Sequence, residues 1–289
     1  MKTRLVLLVF VLISFITYSQ IEESQELVKI ETKDGNEFVG VILDEDDERV
    51  LLKTEVLGDI SIRKEVIVRR RIIESTKIVE GELWDDNPQS SRYLWTPNGY
   101  GLKEGEGYYQ NIWVLYNQIS FGFTDHFSIS AGIIPLFFFG AEVLGPVWVV
   151  PKFSIPIQKD AVNMSAGAFI GTVPGESETG FGIVFSTLTI GDRNNNWNFG
   201  FGWGYAGGEW AERPIINISG MHRMSARGYF LTENYYLSFF DEGLVLLSAG
   251  YRYMAKKVAI DFGLYIPFYS DMDIFLAFPI VGVTIPFGK

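Results

Sequence analysis

Catalysis needs reactive side chains within reach of one another, and this chain offers few. It has two histidines, His126 and His222, and no cysteine in 289 residues. A serine–histidine hydrolase needs the histidine against a serine nucleophile, and neither histidine sits in a recognisable motif with one. Asp125-His126 reads instead as a polar turn. Two distant histidines without a cysteine do not make a metal site. The missing cysteine also excludes disulfides and lipidation at a cleavage-site cysteine. The reading is therefore of no enzyme, no cofactor and no metal. What remains is a set of charges placed among apolar residues at strand spacing: Arg252, Asp261, Lys152, Glu233 and Arg223.

The spacing says where these charges point. In residues 244–254, Val245, Leu247, Ala249, Tyr251 and Tyr253 share one strand face and leave Arg252 on the other. In residues 258–268 the odd position Asp261 is likewise set apart from Val258, Ile260, Phe262 and Leu264. With Lys256-Lys257 as the central turn residues, Arg252 stands directly opposite Asp261, and a cross-strand ion pair is expected. Such a pair either ties a lumen together or sets selectivity in it. Lys152 lies opposite in parity to Phe153, Ile155 and Ile157, while Glu233 and Arg223 flank the turn at 225–228. Charge facing lipid is costly, so these three are expected to face inward too.

The elements that must position them are aromatic strands. Residues 197–205 place Trp197, Phe199, Phe201, Trp203 and Tyr205 on one face and Asn198, Gly200, Gly202 and Gly204 on the other. A soluble sheet would bury that aromatic face, whereas a transmembrane barrel turns it to lipid. Aromatic residues make up 15% of the chain and glycine 30 positions, yet no later stretch is a 20-residue apolar helix. The chain opens with Met1-Lys2-Thr3-Arg4, an uncharged run over residues 5–18, and Thr17-Tyr18-Ser19 before Gln20. That is the form of a secretory signal cut after Ser19, with an N-terminal anchor as the competing reading. Export, aromatic strands and no membrane helix together point to an outer-membrane barrel.

Charge divides the mature chain. Residues 20–90 carry 19 acidic and 10 basic side chains, against 16 and 12 in residues 91–289. The acidic part reads as five short strands: 27–33, 37–43, 49–56, 60–63 and 66–72, with a hairpin signal at Asp34-Gly35 and a bend at Gly40. Through Val28-Lys29-Ile30, Asp34-Gly35, Phe38-Val39-Gly40, Gly58-Asp59-Ile60-Ser61-Ile62 and Val66-Ile67 it resembles the Sm-like or SH3-like fold. That resemblance implies RNA binding in some relatives, but an acidic exported segment lacks the cations that a phosphate backbone demands, so no nucleic-acid partner is expected. Arg69-Arg70-Arg71 balances the acidic surroundings or docks an anionic partner. Residues 74–91 form a linker, with a helical turn over 74–82 and a break at Asp86-Asn87-Pro88.

Residues 92–289 then read as twelve antiparallel strands: 92–95, 108–124, 127–136, 147–157, 161–172, 180–190, 196–205, 214–223, 229–239, 244–254, 258–268 and 274–287. In the last, parity switches at Pro279, so a bulge is expected there. Gly182, Gly200, Gly202, Gly204 and Gly250 are expected to face the lumen, either closing it tightly or leaving room for a substrate. The alternation up to Phe287 resembles the terminal signal by which barrels are recognised for assembly. The whole region, notably Lys103-Glu104-Gly105-Glu106-Gly107-Tyr108-Tyr109-Gln110-Asn111, resembles outer-membrane β-barrel proteins of unassigned function common in Bacteroidota. The expected fold is all-β: a small Sm/SH3-like domain (20–73) and an outer-membrane barrel of about twelve strands. The expected location is the outer membrane of a Gram-negative bacterium, with the N-terminal domain and C-terminus periplasmic. The expected partners are membrane lipid and the outer-membrane assembly machinery. Two functions stay open. One is a narrow pore or transporter for small solutes. The other is a structural protein whose plugged barrel anchors the periplasmic domain, which would then bind a protein partner through residues 20–90.

Overall fold

The computed structural model describes residues 27–73, 78–79, 82–140, 145–176, 180–238, 243–255, 258–269 and 276–288. The signal-like segment 1–19 lies outside them. The chain divides into two units between Trp84 and Asp85.

In the first unit, β1 (Leu27–Thr32), β2 (Glu37–Glu45), β3 (Arg49–Thr54), β4 (Gly58–Arg63) and β5 (Ile67–Ile73) form an antiparallel sheet in the order β4-β3-β2-β1-β5. Alternation puts Val28 and Ile30, Val50 and Leu52, and Ile62 into one core, with Phe38, Ile42 and Ile60 packed against it. Gly40 marks a close approach rather than a bend: a Cβ there would stand 2.2 Å from the Lys53 carbonyl oxygen. The irregularity falls instead between Ile42 and Asp44. Arg70 lies 2.7 Å from Glu45, which also meets Lys64 at 2.9 Å. Lys64 and then Arg70 hold the Glu45 carboxyl below the usual carboxylate range. The helical turn expected over 74–82 is not what the described residues form. β6 (Ile78–Val79) pairs with β7 (Glu82–Leu83), as β-branched residues favour.

The second unit is a closed antiparallel barrel of twelve strands. These are β8 (Glu106–Ile112), β9 (Tyr116–Gly122), β10 (Phe127–Ile133), β11 (Val147–Gln158), β12 (Val162–Thr172), β13 (Phe181–Gly191) and β14 (Asn196–Ala206), with the two-residue β15 (Glu209–Trp210) folding back on β14. The wall continues through β16 (Ile215–Arg223), β17 (Gly228–Leu237), β18 (Leu244–Ala255), β19 (Val258–Phe268) and β20 (Phe278–Gly288). β20 pairs with β8, Gly288 against Glu106, so both ends of the wall lie at one rim, here the proximal rim. Aromatics of β14 form part of an outward apolar belt; Trp197 is 56% exposed and Phe199, Phe201, Phe262 and Leu264 are exposed with it. Their even-numbered neighbours Asn196, Asn198, Gly202 and Gly204 are buried inside. An apolar exterior around a polar interior is the pattern of a transmembrane β-barrel.

Twelve strands is the expected number, but two assignments change. Residues 92–95 are not in the wall. The stretch 108–124 is not one strand but the β8–β9 hairpin, turning at Trp113 and Val114 with φ of 53° and 66°. Neither residue type favours that backbone region. The turn is held from outside itself: Asn111 Oδ1 accepts from Val114 N, Asn117 Nδ2 donates to the Val114 and Leu115 carbonyls, and Trp113 Nε1 donates to the Pro279 carbonyl. The bulge expected at Pro279 is absent, because Leu264↔Pro279 and Gly263↔Ile280 continue one register. Proline needs no amide partner there, so the ladder passes through it unbroken.

Gly40→Val should force β3 away from β2 and cost about 1–3 kcal/mol, the usual range for overpacking. Amide hydrogen exchange on the full chain would show it as lost protection in β2 and β3 with the twelve wall strands unchanged.

Candidate functional site

The lumen is occupied by the chain's own residues 85–104. They enter at the proximal rim, where Asn87 Nδ2 donates to the Arg193 carbonyl in the β13–β14 turn. They rise along the wall to a tight reversal at Trp95, closed by Tyr93 N to Thr96 O and by the Arg92–Pro97 bridge. The returning arm passes Asn98 and Tyr100, whose hydroxyl donates to the Gly191 carbonyl. It leaves at Glu104, whose amide meets Asp125 in the β9–β10 turn at the same rim. The hairpin thus goes in and out by one end. Its tip reaches about mid-height, where Glu233, central in β17, accepts from the Trp95 and Thr96 amides at 2.9 and 3.1 Å.

The five charges expected to face inward all meet this hairpin or its entry. Arg252 and Asp261 stand opposite each other in the β18–β19 register. Arg252 Nε lies 2.6 Å from Asp261 Oδ1 and Nη2 lies 2.9 Å from Oδ2, a bidentate pair. The same guanidinium donates to the Gln89, Arg92 and Tyr93 carbonyls of the hairpin. Lys152 Nζ donates to the Asn98 and Tyr100 carbonyls at 3.1 and 2.7 Å. Glu233 takes the tip amides and the Tyr235 and Tyr265 hydroxyls. Arg223 donates to the Asp85 carbonyl at 2.9 Å and lies over the Tyr229 ring.

Sequence reasoning did not find the centre of this arrangement, Arg92. Its guanidinium is buried and meets Asp261 Oδ2 at 3.2 Å, the Thr284 hydroxyl, and the Tyr93 and Leu94 carbonyls. One carboxylate therefore holds two guanidiniums, one from the hairpin and two strands' worth of wall behind the other. The only signal available was the arginine itself, in a stretch too short to span a membrane. Arg193, also unmarked, stacks on Tyr100 at 4.6 Å and donates to the Ser90 hydroxyl.

Three of the inward glycines face close neighbours, while Gly204 borders a cavity. A Cβ on Gly200 would meet Asn217 at 3.1 Å, one on Gly202 would meet Ile183 at 3.0 Å, and one on Gly250 would meet Leu94 of the hairpin at 3.1 Å. Gly182 does not face the lumen: it pairs with outward Tyr205, and directly opposed residues share a face. His126 Nδ1 lies 3.1 Å from the Ser154 carbonyl, and His222 is exposed beside its strand partner Phe230.

No family model and no curated protein matches this chain. Among solved structures it is similar to a KdgM porin, at 9% identity and a TM-score of 0.44, covering 62% of this chain and 98% of that one. It is also similar to a CymD monoaromatic hydrocarbon channel, at 9% identity and a TM-score of 0.33, covering 91% of this chain and 86% of that one. Overlap at this level transfers no residue assignment.

Asp261→Ala leaves two buried guanidiniums without their carboxylate and should cost about 3–5 kcal/mol. Adding Arg92→Ala or Arg252→Ala should then cost little more, or recover part of the loss. Urea unfolding of the lipid-reconstituted chain measures this; strictly additive costs would show that the three do not act as a unit.

Proposed function

We propose that this chain is an outer-membrane channel for small solutes, closed at rest by the hairpin 85–104. The observation that carries the reading is how the hairpin is attached. Between residues 87 and 101 its backbone makes no hydrogen bond to the backbone of the wall among the described residues. Its bonds to the wall run through side chains. The closed ladder has no free edge for such a segment to join, so the hairpin contributes nothing to the wall's pairing. Held by Arg252, Lys152 and Glu233, it can leave while the wall stays closed, because β8 to β20 make their full set of strand pairs without it.

The rest of the assignment follows from the same reading. The uncharged run behind Lys2 and Arg4 serves as a signal removed after Ser19. The proximal rim faces the periplasm, with the C-terminus there and the terminal strand through Phe287 read by the assembly machinery. The first unit is taken as Sm/SH3-like on its strand order and on the short 3-10 turn between its fourth and fifth strands. It stands immediately before the hairpin in the chain, which suits a periplasmic handle. The pattern resemblance to Bacteroidota barrels fits an origin there.

Replacing residues 87–103 by a flexible Gly-Ser linker should convert a nearly silent protein into one with steady openings in planar bilayers, unit conductance rising severalfold. If neither the native chain nor the replaced one conducts, the channel reading fails and a purely anchoring barrel takes its place.

A further inference from the structure

Aromatic rings on the inner wall form one unbroken row in the distal half of the lumen. Trp95, at the hairpin tip, meets Tyr116 edge-on with centroids 5.2 Å apart. Tyr116 stacks on Trp148 at 4.7 Å, Trp148 on Phe169 at 5.7 Å, and Phe169 lies against Phe181 at 6.0 Å. The far end of the row, Phe169 and Phe181, borders a cavity of about 570 Å³ at the distal rim, which takes in Ile183 and Arg213 and also the outward-facing Tyr205 and Trp210. The middle rings are buried by one another, but both ends are accessible. Trp95 is 48% exposed, and Phe169 and Phe181 are half-buried.

The polar atoms of the buried rings are already in use. The Tyr116 hydroxyl and the Trp148 Nε1–H both donate to Gln118 Oε1, at 2.5 and 3.0 Å. The neighbouring Tyr235 and Tyr265 hydroxyls donate to Glu233. What the row offers a visitor is ring face and ring edge. A sugar would lose water from its hydroxyls and find few partners for them. A flat aromatic molecule would lose little and gain stacking. Glu209 and Glu212 against Arg213 in the cavity lining leave an excess of negative charge, which disfavours anions.

We propose that the accessible ends of this row bind small uncharged aromatic molecules, Phe169 and Phe181 at the distal rim and Trp95 at the hairpin tip. The assignment rests on the channel reading and names its substrate class. It also gives the tip of the hairpin a second task. The Trp95 amide is held by Glu233, so a ring stacked on Trp95 touches the part of the hairpin that Glu233 retains.

The test is binding, not transport. 4-Methylphenol is titrated by calorimetry into the full chain in lipid nanodiscs, with empty nanodiscs as the blank. Saturable binding at the two accessible ends is expected, with glucose giving none and benzoate binding more weakly. Phe169→Leu and Trp95→Leu keep apolar bulk but remove a ring. Each should weaken 4-methylphenol binding at its own end of the row about fivefold or more, the size of one lost aromatic contact, while Leu264→Ala on the lipid face leaves it unchanged. Heat-modifiable gel migration verifies that each variant is folded. No saturable heat from folded protein, unchanged binding in both ring variants, or glucose binding in place of the phenol would each overturn the assignment. Such a result alongside conduction by the linker-replaced chain would leave the channel standing, whereas phenol binding without any conduction would sink the channel alone.

Discussion

Irregular backbone inside a membrane barrel must have its carbonyl and amide groups satisfied, and this constraint governs the lumen. Each buried group left unpaired costs roughly 1–3 kcal/mol. A strand would meet the demand by pairing with the wall, but residues 85–104 double back on themselves and cannot. Wall side chains do it instead. Arg252, Lys152, Arg223 and Gln110 cover carbonyls, and Glu233 and Thr189 cover amides. This explains why an acidic protein carries an interior rich in cations. Carbonyl oxygens are the groups an irregular chain most often leaves open, and lysine and arginine donate without accepting.

The same constraint shows why the wall was legible in the sequence and the hairpin was not. Inside and outside differ in every strand, so parity alone places Trp197 and Phe199 outward and Arg252, Asp261 and Lys152 inward. Reading Lys256-Lys257 as the centre of a turn then sets Arg252 against Asp261 by counting, and the register pairs the two. The hairpin obeys no such period. Arg92-Tyr93-Leu94-Trp95 has the composition of a short strand but no alternation, and Arg92, Tyr93 and Leu94 are all buried in the lumen. Nothing local marks a segment whose surroundings are side chains of strands 16 to 192 residues away. The β8–β9 turn was hidden for a different reason: Trp113 and Val114 carry none of the residues that favour positive φ, and its stabilising contacts come from Asn111, Asn117 and Pro279. Missing that turn removed one strand and counting 92–95 added one, so the total of twelve survived two compensating errors.

Satisfaction in the lumen is extensive but incomplete. The Gln89 amide, Arg92 Nε and Gln110 Oε1 are buried with no hydrogen-bond partner. All three sit on or against the rising arm of the hairpin. A network with gaps of this kind is weaker than its bond list suggests, because every orphan group would be better off in water. The returning arm has gaps of its own, since Ser154 Oγ, against Gly101, and Asn163 Nδ2, on the residue against Gly99, are also buried without a partner, although Lys152, Ser165 and Thr189 serve Asn98 and Gly99. Both arms therefore carry unsatisfied groups, and what distinguishes them is the charge that holds each: Arg252 and Asp261 on the rising arm, Lys152 on the returning one.

That division of charges bears on how the lumen would open if, as proposed, the hairpin leaves it. Lifting the whole hairpin would break Arg92 from Asp261, Glu233 from the tip amides and Lys152 from the returning arm together, a concerted loss of many charge-assisted bonds. Peeling the rising arm first would expose Arg92 and Gln89 to water, which satisfies them, while Lys152 still holds the returning arm. Asp261 keeps its bidentate bond to Arg252 throughout, so no buried carboxylate is left alone at any stage. Because Arg92 belongs to the hairpin and Arg252 to the wall, the hairpin can go without stranding the wall's own charge.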